Sequence, residues 1–210
     1  MREQFMATDD STRIAIRGTN TWTIKDWKDL DFTQEYDWQK AIDIFENRIR
    51  GRFLDIIDLV SRKNGAGFAV MALDCLLIET LQQFREGVDE TPRGKSKEYF
   101  RHFLTQTSFK NDFDGDLAIL FYEQIRCGIL HQAEVMRSSK IQIRNDVPLI
   151  SKDESGGVII NRRKFHEMME EVFQEYIDVL RKNDPLNQPL RDNFHKKMDA
   201  ICRIDGKKEQ

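Results

Sequence analysis

From Trp38 onward, apolar residues recur at steps of three or four: Trp38, Ile42, Phe45, Ile49, Phe53, Ile56 and Val60. Lys40, Glu46, Arg48, Arg50 and Arg52 mostly fall between them. A 3.6-residue turn gathers those apolar positions on one face, so the pattern predicts a long amphipathic helix. Asn64-Gly-Ala-Gly67 ends it. Phe68 to Phe84 then carries apolar residues on nearly every face, with Asp74 and Glu79 the only ionisable positions, which predicts a central, buried helix. Beyond Thr91-Pro-Arg-Gly94, Ser96 is placed to cap a short helix presenting Tyr99, Phe100, Phe103 and Leu104.

Residues 116 to 132 repeat the helical pattern through Leu117, Leu120, Phe121, Ile125 and Ile129. The carboxylates of Asp112-Phe-Asp114-Gly-Asp116 before it lack the length and final Glu of a calcium loop and read as a turn and cap. Period-two alternation marks Arg13–Arg17 and Thr21–Ile24 as short strands in an N-terminal arm. Ile141–Arg144 and Val147–Ile150, joined by Asn145-Asp146, read as a hairpin, with Pro148 holding its strand to an edge or bulge and Val158–Ile160 adding a strand beyond. Asn161 caps a helix running to about Lys182. Asp184-Pro185 starts a last one with Leu186, Leu190, Phe194, Met198 and Ile201 on its apolar face, before a solvated tail from Asp205.

The expected fold is therefore mainly all-α, an antiparallel helical bundle with a short β-hairpin insertion and small N-terminal strands. Its organisation is an arm over residues 1–36, a bundle over 37–183, and a C-terminal helix and tail over 184–210. With 40% hydrophobic and 33% charged residues, the 210-residue chain has the balance of a globular domain. A net charge of −3 removes the global basic character that drives non-specific binding to nucleic acid, so any such contact must be local. The apolar runs around Phe68–Met71 and Leu76–Ile78 fall far short of a membrane span, and the first residues lack the apolar stretch of a secretory signal. A cytoplasmic protein with no membrane contact is expected. Cys75, Cys127 and Cys202, odd in number and widely spaced, predict reduced packing residues rather than disulfides or metal ligands.

Candidate chemistry centres on Arg126-Cys-Gly-Ile-Leu-His131 at the end of the 116–132 helix. Five positions separate Arg126 from His131, about 140° around an ideal helix, and a long arginine can still reach a shared cleft. Neutral imidazole can accept the proton of a ribose 2′-hydroxyl, while guanidinium forks onto phosphate oxygens and stabilises charge growing on a phosphorane. A donor for the 5′-oxygen requires a second copy of the site, and Gly128 would permit close approach of another helix or let the helix end deform. The competing structural reading pairs Arg126 with Glu123 and leaves His131 at a helix C-terminus, where the dipole favours it. Arg162-x3-His166 and Arg191-x3-His195 read as ordinary surface pairs. No Gly-rich phosphate loop, His-Glu-x-x-His or nucleophile elbow is present, and no cofactor or metal is expected.

Phe121-Tyr-Glu-Gln-Ile-Arg-Cys-Gly-Ile-Leu-His-Gln-Ala-Glu134, late in a run of amphipathic helices, resembles the Arg-x4-6-His element of the HEPN superfamily. The resemblance implies an antiparallel helical bundle, a homodimer and metal-independent cleavage of RNA. It also implies a toxin or antiviral-defence role, with an antitoxin or regulatory protein as a possible partner. Arg126 and His131 are the catalytic residues it assigns. Glu79, Tyr122, Glu123 and Gln132 are supporting candidates. Glu79 and Asp74 are carboxylates on an otherwise apolar helix and need a partner, either a salt bridge or capping contact inside the bundle or, for one of them, Arg126 or His131 in a functional role. Tyr122 and Gln132 flank the motif within reach of a base or phosphate, and Glu123 lies three residues before Arg126. Cys127 departs from the polar residue that the family usually carries after the arginine. The alternative within the same fold is a non-catalytic module binding protein or RNA.

Overall fold

The computed structural model describes residues 9–203; the expectation of a solvated tail from Asp205 lies outside them. Strands β1 (Arg13–Arg17) and β2 (Asn20–Thr23) pair antiparallel, and α1 (Ile24–Lys28) follows directly. Thr23 starts α1 with a reciprocal capping box with Asp26, satisfying backbone N–H groups at both positions. Helix α2 (Glu35–Ile49) runs through one wide π turn, Arg50–Leu54, into α3 (Asp55–Ser61). The bundle then comprises α4 (Gly67–Glu86), α5 (Ser96–Gln106), α6 (Gly115–Phe121), α7 (Cys127–Gln132), α8 (Arg162–Arg181) and α9 (Gln188–Cys202). A second π turn, Tyr122–Arg126, joins α6 to α7.

The structure is mainly helical, as the periodicity predicts, and several details depart from it. The π turn at Arg50 adds a residue to the turn and rotates everything beyond it. Leu54 and Ile57 are consequently buried where Phe53 and Ile56 were expected, and Ile56 is exposed. Gly51 lets β1 pack against that turn, since a Cβ there would lie 2.1 Å from the Ile16 carbonyl oxygen. The predicted hairpin across Asn145-Asp146 does not form. Strands β3 (Lys140–Gln142) and β4 (Ile150–Lys152) instead flank β5 (Val158–Asn161), the first parallel and the second antiparallel to it. The continuous apolar run Val158-Ile-Ile160 suits a central strand better than an edge. Asn161 ends it by donating to the Arg144 and Val147 carbonyls, while its side-chain oxygen caps α8.

Ser96 is the first residue of α5 rather than its cap, and its hydroxyl goes to Glu79. Asp114 caps α6 as expected. Asp184-Pro185 opens a short 3-10 turn before α9, leaving Leu186 solvent-exposed instead of on the apolar face. The three cysteines are free, as expected. Among the described residues one helix, α4, is long and apolar enough to cross a membrane, and half of that stretch is buried inside the bundle.

One continuous core runs from Ile14 and Trp27 through the bundle to Phe194 and Met198. Trp27 donates its indole N–H to Asp199 at 2.8 Å, tying α1 to α9. Glu46 of α2 accepts from Arg50 and from Arg181 of α8. Burial opposes ionisation of Glu46, but the two arginine hydrogen bonds outweigh it and hold its pKa below the usual 4.5. The stability contributed by this carboxylate, about 1 kcal/mol, is present above pH 4.5 and is lost as pH falls through the lowered value. Thermal melts from pH 6 to 3 check it: Glu46→Gln is expected to melt lower than the parent at pH 6, with the gap closing in acid.

Candidate functional site

The motif arginine closes the second π turn, and the wider turn changes what its side chain meets. Arg126 turns into the gap between α4 and α5, where Nη2 lies 3.3 Å from Glu79 Oε2 and donates to Ser96 Oγ at 3.4 Å. Ser96 in turn donates to the other Glu79 oxygen at 2.7 Å, so one carboxylate holds both groups. The guanidinium also sits 5.2 Å from the Tyr122 ring centre and 5.9 Å from that of Phe100. Burial works against its charge, but Tyr122 and Glu79 outweigh that and raise its pKa. The side chain keeps 17% of its surface exposed. The extra residue of the π turn re-aims the side chain without breaking the helix.

Of the supporting candidates, Glu79 and Tyr122 contact Arg126. Glu123 does not; it pairs with Lys97 at 3.0 Å, which removes the helix-internal pair the structural reading required. Gln132 and His131 are exposed at the end of α7. Among the described residues no hydrogen bond joins Arg126 to His131. Cys127 is half-buried beside Tyr122 and Arg126.

Of the two roles expected for Gly128, the structure leaves no room for approach of a second helix. The chain after α7 turns back on it, with Ala133 and Arg137 both in left-handed backbone conformations. Met136 N–H donates to the Gln124 carbonyl at 2.8 Å. A Cβ on Gly128 would lie 2.5 Å from the Glu134 carbonyl oxygen, so the space a second helix was expected to use is filled by the chain's own 134–136 segment. Gly128→Ala is expected to cost roughly 1–3 kcal/mol by lifting that segment, read as a lowered melting temperature with faster amide exchange confined to residues 133–137. Gln124, which sequence reasoning passed over, is buried and anchors the same region: it accepts from Ser139 Oγ at 2.6 Å and donates to the Gly156 carbonyl. Its one signal in the sequence is a polar residue where the helical stripe calls for an apolar one.

No family model, curated protein or solved structure matches the chain.

The second chemically unusual place lies further along α4. Asp74 is fully buried, and its carboxylate meets His166 Nδ1 at 2.9 Å. The intrabundle partner expected for Asp74 is thus present, while His166 is 7% exposed and not the surface residue its spacing suggested. Arg191 is likewise buried, stacked 4.2 Å over Trp38 and bonded to Glu35, and His195 is only partly exposed. Desolvation pulls the His166 pKa down, but the Asp74 hydrogen bond and the charges of Asp74, Glu170 and Asp58 outweigh it and leave it above 6.5. Asp58, His166 and Glu170 offer ligand atoms that all lie within 4.8 Å of one another, the residues best placed to hold a metal among those described. They open on a cleft of about 470 Å³.

Proposed function

We propose that the chain is a metal-independent endoribonuclease that works as a homodimer, with Arg126 and His131 of each subunit forming one composite site. The observation that supports this reading is the fixed position of Arg126. Glu79, Ser96 and the Tyr122 ring hold the guanidinium in place while part of it stays open to solvent. A charge set in advance stabilises a developing oxyanion without reorganising during the reaction. His131, exposed at the helix end, is free to meet a substrate or a second subunit.

In this mechanism His131 of one subunit accepts the 2′-hydroxyl proton and the 2′-oxygen attacks phosphorus. Arg126 neutralises charge on the non-bridging oxygens. The 5′-oxygen leaves with a proton from the imidazolium of the second His131, giving a 2′,3′-cyclic phosphate and a 5′-hydroxyl. A cytoplasmic toxin or antiviral role, governed by a regulatory protein, accords with the resemblance that motivates the reading.

The depth of the Arg126 contacts favours a second reading, a non-catalytic helical module in which Arg126 supports the fold and the α7 end binds protein or RNA. Incubating the purified chain with mixed RNA and excess chelator separates the two. Cleavage to cyclic-phosphate ends supports the nuclease, whereas bound and intact RNA supports the module.

A further inference from the structure

We infer that Asp58, His166 and Glu170 form a binding site for a first-row divalent transition ion, with Asp74 as the residue that orients the histidine. The site is built from three helices. His166 and Glu170 are four apart on α8 and therefore share a face. Asp58 comes from α3, beyond the π turn at Arg50–Leu54 whose extra residue rotates that helix. Asp58 Oδ1 reaches to 3.8 Å from His166 Nε2.

The histidine itself points to a ligand. More than nine-tenths of it is buried, and Nε2, aimed at the two carboxylates, has no hydrogen-bond partner. Leaving a buried ring nitrogen unpaired is costly unless something occupies that side. On the other side, Nδ1 is fixed by the fully buried Asp74 at 2.9 Å. A carboxylate holding one imidazole nitrogen so that the other faces a cation is the recurrent arrangement behind metal-binding histidines, because it fixes the tautomer and raises basicity. One nitrogen and two carboxylate oxygens suit Zn²⁺ or Mn²⁺, whereas Mg²⁺ prefers oxygen ligands and its own water. All three residues line the cleft, together with Arg62, Lys63, Arg162 and Arg163. These cations oppose an incoming ion and weaken its binding.

The test is a titration of the full chain, stripped with chelator and dialysed, with ZnCl₂, MnCl₂ or MgCl₂, read by calorimetry and thermal melting. Zn²⁺ and Mn²⁺ are expected to bind and, at a hundredfold excess over Kd, to raise Tm by roughly 5–10 °C, with no response to Mg²⁺. His166→Ala is expected to abolish binding. Because it also strands Asp74, the decisive variants are Asp58→Asn and Glu170→Gln, which alter less buried side chains. Each should weaken Zn²⁺ affinity at least tenfold, while variants at His102 and His195, which lie beside other carboxylates outside this cleft, leave it unchanged. Zn²⁺ affinity unaltered in the Asp58→Asn/Glu170→Gln double variant, or no Tm response to either transition ion, overturns the inference.

Discussion

Replacing His131 with alanine is expected to lower RNA cleavage by 10²- to 10⁴-fold, about 3–5 kcal/mol of barrier, the usual worth of a positioned acid–base group. Folding should be untouched, because His131 is exposed at the end of α7 and supports nothing in the core. Arg126→Ala is expected to lose about 10²- to 10³-fold. That variant also leaves Glu79 half-buried without its cation, so its melting temperature must be read beside its rate. Arg126→Lys separates the two effects, since it keeps the charge and loses the fork. A composite site adds a further signature: the rate per chain should fall on dilution as dimers separate. Cleavage unchanged in His131→Ala sinks the assigned role.

The largest loss of stability is expected from Phe45→Ala. Phe45 is fully buried, with ring centres 4.4 Å from Phe84, 5.8 Å from Phe173, 6.0 Å from Tyr176 and 5.3 Å from Phe194. One side chain thereby joins α2 to α4, α8 and α9, and these rings cannot all move inward to fill the space it would leave. The cost is about 3–5 kcal/mol, enough to lower Tm by roughly 6–20 °C. Because α4 carries both Asp74 and Glu79, loosening it should also weaken whatever either candidate site binds. Denaturant melts give the free energy, and a loss below about 1 kcal/mol would show that this core is not closely packed.

Arg126 shows how far the motif could be read from the chain. Its place at the end of a late amphipathic helix was legible, and so was the need of Glu79 for a partner. The sequence allows Glu79 or Asp74 to orient Arg126 or His131 but does not pick the pair, because Glu79 and Arg126 are 47 positions apart and meet only when α4 packs on the turn before α7. His166 makes the same point from the other direction. Its spacing from Arg162 is that of a surface pair, and only Asp74, 92 residues away, makes it an interior residue.

The π turns account for most of the remaining differences. Amphipathic periodicity assumes 3.6 residues per turn, so an inserted residue displaces every later position by about 100°, which moved burial from Ile56 to Ile57. Gly51 is the local trace of the first turn, and its reason lies in strand β1, 35 residues earlier. The sheet departs from the sequence pattern for a related reason. Strand-forming stretches were visible in their side-chain pattern, but partner choice depends on which strand the helices cover, and Val158-Ile-Ile160 became the centre.

By itself the sequence determined the helical character of the chain, most of its core and the caps at Asp114 and Asn161, because these follow from local periodicity and from side chains reaching their own backbone; Arg126 and His131 are candidates through the resemblance of their motif. Only the tertiary structure decided that Glu79 holds Arg126, that residues 134–136 cover Gly128, and that Asp58, His166 and Glu170 converge beside a buried Asp74. Those contacts join residues far apart in the chain, and their energies depend on desolvation and distance, which exist only once the helices have packed.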